Sequence, residues 1–249
     1  MKQKISDDYY KTFEGNRRLK PRIYQKDYCL LRGTLKEIEY FIDNYNLENL
    51  TVLDYGCGAK PYQSIFPAST KYIGVDVGSN PMAEIKIDTD QKVPIADNSV
   101  DVILSTYVAY LIPEYQEYLD ESKRLLKDEG LIFITCPGTW TYHPQSGGDY
   151  YRFTQGGMKY ILEKSGFEII NISPIVGTLA TGLHLRQLVI NSWLRRLHLG
   201  LLADIYNVFT NLRILFEDRI TPIGSRLSSP AAFACIARSK IDFKEKVDK

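Results

Sequence analysis

Short apolar runs that end at an acidic or polar residue recur along much of the chain. The first covers residues 50–54, ends at Asp54, and is followed by Gly56 and Gly58. A run of this length bounded by turn residues predicts a buried strand, and the two glycines predict a tight turn into a helix. Similar runs predict further strands at residues 72–76, 85–88, 101–105, 131–137, 168–173 and 231–238.

Between these runs, apolar residues recur at spacings of three and four, which predicts amphipathic helices. One helix is predicted to end at a Gly130 cap, and another to begin after an N-cap at Thr154. The predicted helical segments are 35–42, 118–129, 156–164, 188–197 and 199–216. The last two have apolar faces too wide for a fully solvated helix.

The spacing of acids and glycines points to a nucleoside. Gly56 and Gly58 allow close approach of a ligand to the backbone, and Asp76, which ends the second run, can accept hydrogen bonds from a ribose diol. This is the arrangement of a doubly wound α/β sheet. Pro61 occupies the place of the third glycine of a dinucleotide fingerprint, and Asp54 suits an ammonium better than a phosphate. S-adenosylmethionine carries both a ribose and an ammonium, whereas a nicotinamide cofactor is disfavoured.

With this turn and the runs that follow it in order, the chain resembles the class I S-adenosylmethionine-dependent methyltransferases over about residues 45–173 and 231–239. The resemblance implies a doubly wound, mostly parallel seven-stranded sheet with a helical insertion before the last strand. It also implies that Asp88 holds the adenine amino group. The predicted cofactor contacts are Asp54, Gly56, Cys57, Gly58, Asp76, Val77, Asp88, Thr89 and Ser105.

Three segments follow from this comparison. Residues 1–45 are predicted to form an N-terminal helical arm or lid, residues 46–173 with 230–240 the S-adenosylmethionine-binding core, and residues 174–229 a helical insertion. The arm carries a basic cluster, which contacts substrate phosphates or is simply solvated. The insertion is a helical subdomain over the acceptor site, a homodimer interface, or a helix resting on a membrane surface.

The loop at residues 137–154 follows the fifth strand, at the edge of the sheet where ligands bind. It concentrates His143, Asp149 and Arg152 among glycines and aromatic residues. Its sequence from His143 to Thr154 resembles that of a methyltransferase group linked to bacterial cell-surface glycan synthesis. This resemblance implies methyl transfer to a hydroxyl or amine of a sugar. The alternatives are transfer to another small metabolite, a lipid or a protein, and a binding-only protein that keeps the cofactor fold.

Two roles compete within this loop. His143 is the predicted general base because its unperturbed pKa lies near neutrality, and Asp149 is the second candidate. Alternatively, Asp149 orients His143 or a sugar hydroxyl, or it pairs with Arg152 and pins the loop. Unpaired, Arg152 can bind a substrate phosphate or carboxylate in bidentate fashion. The predicted substrate contacts are Tyr107, Tyr110, Tyr150 and Arg152.

Composition limits the expected partners, bound metals and cellular location. The net charge is +1, so no bulk field favours nucleic acid as a partner. Four cysteines without C-x-x-C spacing, and three scattered histidines, predict neither disulfides nor a metal site. The first eight residues lack the apolar stretch of a signal peptide, and no uncharged apolar run reaches the length of a membrane span. We therefore expect a cytoplasmic location, with membrane-peripheral contact through 174–229 as the alternative.

Overall fold

Seven strands form one sheet in the computed structural model, which describes residues 15–78, 80–88, 91–143 and 148–240. The strands are β1 (Thr51–Tyr55), β2 (Lys71–Val77), β3 (Ile85–Ile87), β4 (Val100–Thr106), β5 (Leu126–Pro137), β6 (Phe167–Ile175) and β7 (Ala232–Ser239). Their order is β3-β2-β1-β4-β5-β7-β6, with β7 antiparallel to β5 and β6 and every other pair parallel. The predicted doubly wound, mostly parallel sheet is confirmed.

Helices cover both faces of this sheet. They are α1 (Gly15–Leu19), α2 (Tyr28–Asn44), α3 (Tyr115–Leu125), α4 (Gln155–Lys164), α5 (Thr178–Arg196), α6 (Gly200–Ile220) and α7 (Ile223–Ser228). The last three lie between β6 and β7, which confirms the predicted helical insertion.

Two apolar clusters fill the space between these layers. The α3 side contains Leu53 together with residues of α3 and α4. The α2 side contains Val52 with Phe41 of α2, and Ile214 of α6 also reaches this cluster. Val52 and Leu53 are neighbours in β1 and both fully buried, because successive side chains of a strand point to opposite faces. The insertion contributes to the core on the α2 side, with Ala180 of α5 and Ile214 of α6.

The glycine turn does not lead into an α-helix, contrary to the prediction. Between β1 and β2 the chain forms only a 3-10 turn at Gln63–Ile65. Pro61 and Pro67 bracket this stretch, and each proline removes a backbone donor and restricts the residue before it. The five residues between them cannot hold several turns of α-helix.

Gly130 is not the predicted cap of a helix. Helix α3 ends at Leu125, and Leu126 is already extended and paired with Val100 of β4. The next pair joins Val102 and Leu131, so residues 127–130 bulge from the ladder. A side chain on Gly130 would lie 2.9 Å from the carbonyl oxygen of Lys127, which explains the glycine by close backbone approach.

The predicted start of α4 is confirmed. The side-chain oxygen of Thr154 accepts a hydrogen bond from the amide of Gly157 at 3.0 Å, as an N-cap does. After the helix, Gly166 adopts a φ of +80°, which lets the chain turn directly into β6. This cap fixes where the loop after β5 must end.

Candidate functional site

The glycine turn after β1 has the left-handed backbone that its sequence predicts, with φ of 75° at Gly56 and 51° at Gly58. The amides of Gly56 and Cys57 both donate to the carbonyl oxygen of Val75, at 2.8 and 3.0 Å. A side chain on Gly56 would overlap a methyl group of Val108, whereas one on Gly58 would meet nothing within 4 Å. Gly56 is thus required by packing, and Gly58 presents backbone to open space.

Asp76 is tied to this turn at the end of β2. Its Oδ2 accepts hydrogen bonds from the Gly58 amide at 2.9 Å and the Asn80 side-chain amide at 2.6 Å. Its Oδ1 accepts one from the Val77 amide at 2.8 Å. Because a carboxylate has about four acceptor positions, the remaining capacity lies on Oδ1. The carboxylate is preorganised beside the glycine turn, as the predicted contact to a ribose hydroxyl requires.

Asn80 is a residue that the sequence interpretation missed. It is only 5% exposed, and its side-chain amide also donates to the carbonyl oxygen of Gly58 at 2.7 Å. It thereby cross-links the glycine turn to Asp76. The Asn80-Pro81 pair was a visible turn signal, but which groups the asparagine would bridge depends on the pairing of β1 with β2.

Val77 and Asp88, predicted as cofactor contacts with Asp88 at the adenine, lie side by side on β2 and after β3. Val77 pairs with Ile87, so Asp88 follows directly beside it at the same edge of the sheet. Val77 is 54% exposed, and an apolar side chain at the open end of a strand offers a surface against which a base can stack. Thr89, also predicted here, lies outside the described residues.

Asp54 is the buried charge of the site. It is 1% exposed, and the hydroxyl of Tyr72 donates to its Oδ2 at 2.6 Å. Burial raises the pKa of Asp54 to about 7, opposed by the Tyr72 hydrogen bond and reinforced by the charge of Asp76. An ammonium beside this carboxyl would favour its ionised form, which fits the role predicted for it.

Two other predicted cofactor contacts have buried side chains. Cys57 is 3% exposed, and burial raises the pKa of its thiol. Ser105 is fully buried, and its Oγ accepts a hydrogen bond from the Tyr118 hydroxyl at 2.5 Å. The geometry gives both side chains a packing role, and contact of either residue with the cofactor stays a prediction.

Tyr107, directly after β4, has the left-handed φ of 58° that side chains rarely adopt. Its hydroxyl lies 2.8 Å from Oγ1 of Thr34 in α2, and its amide donates to the carbonyl oxygen of Thr135 at 3.1 Å. Such strain persists only where the surroundings impose it, and it clusters at functional sites. Helix α2 is thereby connected to the edge of the sheet where the acceptor is predicted to bind.

Arg152 forms all of its hydrogen bonds within the loop after β5. Its guanidinium makes a bidentate ion pair with Asp149, and its Nη2 lies 2.7 Å from the Asp149 Oδ2. Its donors also reach the carbonyl oxygens of Trp140 at 3.3 Å, Tyr151 at 2.8 Å and Thr141 at 2.7 Å. An arginine has five N–H donors, and all five are used. This geometry favours the pairing interpretation over a grip on a substrate anion.

The contacts of Asp149 favour a positioning role over that of a base. The hydrogen bond from Arg152 lowers the pKa of its carboxyl, and its Oδ2 also accepts a hydrogen bond from the backbone amide of His143 at 2.6 Å. An ionised carboxylate with these partners is a weak base. His143 is exposed and held by its backbone next to this pair, and its role as the base stays a prediction.

The predicted acceptor tyrosines divide between the two faces of the sheet. Tyr107 packs with the α2-side cluster and Tyr110 with the α3-side cluster. The carbonyl oxygen of Tyr110 accepts from the amide of Tyr150 at 3.0 Å, and its ring centroid lies 5.6 Å from the guanidinium carbon of Arg152. Tyr110, Tyr150 and Arg152 therefore form one group, and Tyr107 approaches the site from the opposite side.

Comparisons with known proteins agree with this geometry. Residues 53–134 match a family model described as a methyltransferase domain. An arsenite methyltransferase of Halobacterium salinarum is 30% identical over 100 residues, which cover 36% of this chain and 26% of that protein. The chain therefore spans about a quarter of the length of the curated relative that it matches.

Solved structures share the fold at low sequence identity. The [4+2]-cyclase SpnF has a TM-score of 0.55 at 15% identity, over 84% of this chain and 82% of that chain. An S-adenosylmethionine-dependent methyltransferase from Mesorhizobium loti has a TM-score of 0.53 at 13% identity, over 83% and 97%. Phosphoethanolamine N-methyltransferase 2 from Haemonchus contortus, in complex with S-adenosylmethionine, has a TM-score of 0.52 at 16% identity, over 95% and 60%.

The family match falls on the part of the chain that holds the predicted cofactor site. The matched residues 53–134 contain the glycine turn, Asp76 and Asp88, and the solved structures share the fold over most of the chain. The prediction of a methyltransferase domain is confirmed over the matched residues 53–134, and the prediction of S-adenosylmethionine as its cofactor is confirmed with it. Site and comparisons together leave the acceptor open.

Proposed function

We propose that this protein transfers a methyl group from S-adenosylmethionine to a hydroxyl or amine of a small acceptor, with a sugar of cell-surface glycan synthesis as the first candidate. The main observation behind the proposal is the hydrogen bond from the Gly58 amide to the Asp76 carboxylate. It holds a carboxylate acceptor beside the half-buried glycine turn at the edge of the sheet. Asp54, buried nearby, supplies the anionic group for the ammonium.

S-adenosylmethionine, when bound, supplies a methyl group already activated by its sulfonium, so the protein mainly has to orient the acceptor. Orientation of this kind is worth about 7–11 kcal/mol. Tyr107, held by Thr34, and Tyr150, 54% exposed, support this step as walls of the acceptor pocket. For a hydroxyl acceptor, His143 removes the proton, which contributes roughly 10²–10⁴ in rate.

The sugar rests on the resemblance of the loop from His143 to Thr154, and its aromatic content supports a sugar acceptor. Arsenite is less suitable, because it is an acceptor that seeks soft thiolate ligands and all four cysteines are buried. A phosphate-bearing amine such as phosphoethanolamine would need a cation, and Arg152 has no donor left for it, so that role would fall to the basic cluster of the N-terminal arm. Other small metabolites, lipids and proteins remain alternatives to test.

A binding-only protein is the rival from another class. A protein named as a [4+2]-cyclase has the same fold, so the fold alone does not establish transfer. An exposed histidine at the acceptor edge favours transfer, since binding alone needs no base. Turnover of an acceptor distinguishes methyl transfer from binding only, whereas cofactor affinity does not.

The first experiment is a thermal melt with S-adenosylhomocysteine, using NAD as the control ligand. At about 100 times its dissociation constant, the ligand should stabilise the fold by about 2.7 kcal/mol, which raises the midpoint by roughly 5–10 °C. Asp76→Ala should abolish the shift, whereas Asp43→Ala, an exposed acid on α2, should keep it. A shift with NAD instead would overturn the proposal.

The second experiment follows methyl transfer to a panel of sugars, amines and lipids. With the acceptor that turns over, His143→Ala should lower kcat by roughly 10²–10⁴ if the acceptor is a hydroxyl. His198→Asn is the matched control, because His198 is exposed in the turn between α5 and α6. Binding of S-adenosylhomocysteine without turnover on any member of the panel would favour the binding-only hypothesis.

A further inference from the structure

The α5–α6 hairpin has its polar side inside and its apolar side outside. Gln187, Asn191, Asn207 and Asn211 are at most 3% exposed. The opposite surface, here called the outer face, consists of large apolar side chains that are 40–76% exposed. Its members are Val189, Trp193, Leu197, Leu199, Leu201, Leu202, Ile205, Phe209, Leu212, Phe216 and Ile220.

The orientation of the two helices is fixed by the chain itself. Four successive carbonyl oxygens, of residues 23–26, receive hydrogen bonds of 2.7–3.0 Å from Asn207, Asn211 and His184. Burial lowers the pKa of His184 to about 4, so its neutral ring donates through Nε2. If either helix were rotated about its axis, buried carbonyl oxygens of this segment would lose their hydrogen-bond donors. The apolar residues are therefore held outward.

The spacing of the outer face makes it continuous. On α6, Leu202, Ile205, Phe209, Leu212 and Phe216 follow one another at intervals of three and four, which places them in one stripe. The stripe runs into the turn between the helices, where the exposed leucines are concentrated. An exposed apolar surface of this extent marks an interaction site.

The charges around the outer face are positive. All three acids of the insertion are neutralised by arginines. The pairs are Arg195–Asp204, Arg213–Glu217 and Arg226–Asp218. Arg186, Arg196 and Arg219 are exposed, follow the helical spacing of the outer face, and form no ion pair within the described part of the chain. The partner must therefore be apolar at its centre and anionic at its rim.

We propose that the outer face of α5 and α6 docks in the plane of a membrane surface that carries anionic lipids. Trp193 and the arginines match the headgroup level, and the leucines and phenylalanines match the acyl boundary beneath it. None of the described helices has the length and apolar character to cross a bilayer. In a symmetric dimer the same positive patch would meet itself, which disfavours a second copy of the chain.

The insertion contacts the acceptor loop through its inner side and not through the outer face. The ring of Trp140 packs edge-on against the buried His184 at 4.8 Å between centroids, and Oγ1 of Thr139 lies 2.6 Å from Oγ of Ser229. The inference itself does not rest on methyl transfer.

The test uses the full chain with two kinds of vesicle, phosphatidylcholine alone and phosphatidylcholine mixed with phosphatidylglycerol. We expect co-sedimentation with the anionic vesicles, weakened by high salt. In a Trp140→Phe background, Trp193 is the remaining tryptophan, and its emission should shift to the blue on binding. No co-sedimentation with the anionic vesicles would overturn the proposal.

Variants separate the two contributions. Phe209→Asp and Leu201→Asp, at sites 69% and 76% exposed, should weaken vesicle binding at least tenfold without unfolding the protein. Arg196→Gln should weaken binding to anionic vesicles roughly fivefold. Tyr160→Asp is the matched control, because Tyr160 is 64% exposed on α4, and it should bind as the parent does.

Two further results would count against a membrane. If Phe209→Asp and Tyr160→Asp bound the vesicles equally well, the outer face would not be the contact. If light scattering showed a dimer of the parent that Phe209→Asp dissociates, a second copy would occupy the outer face instead. A monomeric parent in solution that binds the anionic vesicles through Phe209 supports the proposal.

Discussion

The sheet core and the α5–α6 hairpin use burial in opposite ways. In the core, residues such as Val52 and Phe133 are fully buried and apolar, and the helices over them turn their polar sides to solvent. In the hairpin, amides such as Asn207 and Asn211 are fully buried while Phe209 is 69% exposed. The difference lies in what each must cover. The core covers apolar strand faces, whereas the hairpin covers a bare backbone segment whose carbonyls need donors.

This contrast should appear most strongly in two phenylalanines. Phe133→Ala removes a fully buried ring that packs against Phe41, with 5.3 Å between the ring centroids, and it should lower the free energy of unfolding by about 3–5 kcal/mol. Phe209→Ser on the outer face should change it by less than about 0.5 kcal/mol. Denaturant unfolding of both variants measures the difference. Similar losses would mean that Phe209 is packed in solution and that the contrast is wrong.

The comparison can be sharpened where core packing reaches the glycine turn. Gly56→Ala places a methyl group against Val108 at a left-handed φ, and should cost about 2–4 kcal/mol. Gly58→Ala shares the left-handed φ but meets nothing within 4 Å, so it should cost only about 1–2 kcal/mol. Thermal melts of the two variants provide the measurement. Equal losses would show that backbone strain alone, and not packing against Val108, requires the glycine.

The polar interior of the hairpin can be broken by one substitution. Asn211→Ala leaves the carbonyls of Ile23 and Gln25 without their donor, and should lower the free energy of unfolding by about 2 kcal/mol. Asn44→Ala, which removes an exposed bond to the Tyr40 carbonyl, serves as the control and should cost less than about 0.5 kcal/mol. Denaturant unfolding measures the loss of stability, and amide hydrogen exchange of residues 23–26 measures local opening. Unchanged exchange protection of these residues would show that Asn211 does not hold this segment against the hairpin.

Asp54 is a carboxyl group buried in the core, and it should make the protein sensitive to pH. Its pKa of about 7 exceeds that of an unfolded Asp, so folding favours the neutral acid and stability should fall as pH rises from about 4 to about 7. The ionised form holds the ammonium, so S-adenosylhomocysteine should bind about tenfold more tightly at pH 8 than at pH 6. Calorimetric titration measures this, and Asp54→Asn should remove the pH dependence. A flat profile in the parent would contradict the role.

Local signals were sufficient for the strands and for the glycine turn. An apolar run bounded by turn residues needs no distant partner to be interpreted, and a glycine at positive φ is a property of the backbone itself. The absent helix after the turn and the bulge at Gly130 were missed for a different reason. Two prolines and a pairing between Val100 and Leu126 override the local pattern, and the pairing involves residues that are far apart in the chain.

The candidate site divides in the same manner. Asp54, Gly56, Gly58 and Asp76 could be placed from their order and spacing, because parallel strands bring their carboxyl ends to one edge. The bridge made by Asn80 and the full use of the Arg152 donors could not, since both depend on which carbonyls come within hydrogen-bonding distance after the loops fold back. The sequence left pairing and substrate binding open for Arg152, and the loop geometry favours pairing.

The sequence by itself determined the order of the strands, the chemistry of the cofactor edge and the apolar character of the insertion. Only the tertiary structure decided which way that apolar character faces. Helical periodicity shows that a helix has two sides, but it does not show which of them is buried. Here the polar side of the helices faces inward because it donates hydrogen bonds to the carbonyls of residues 23–26, and the apolar side is therefore exposed.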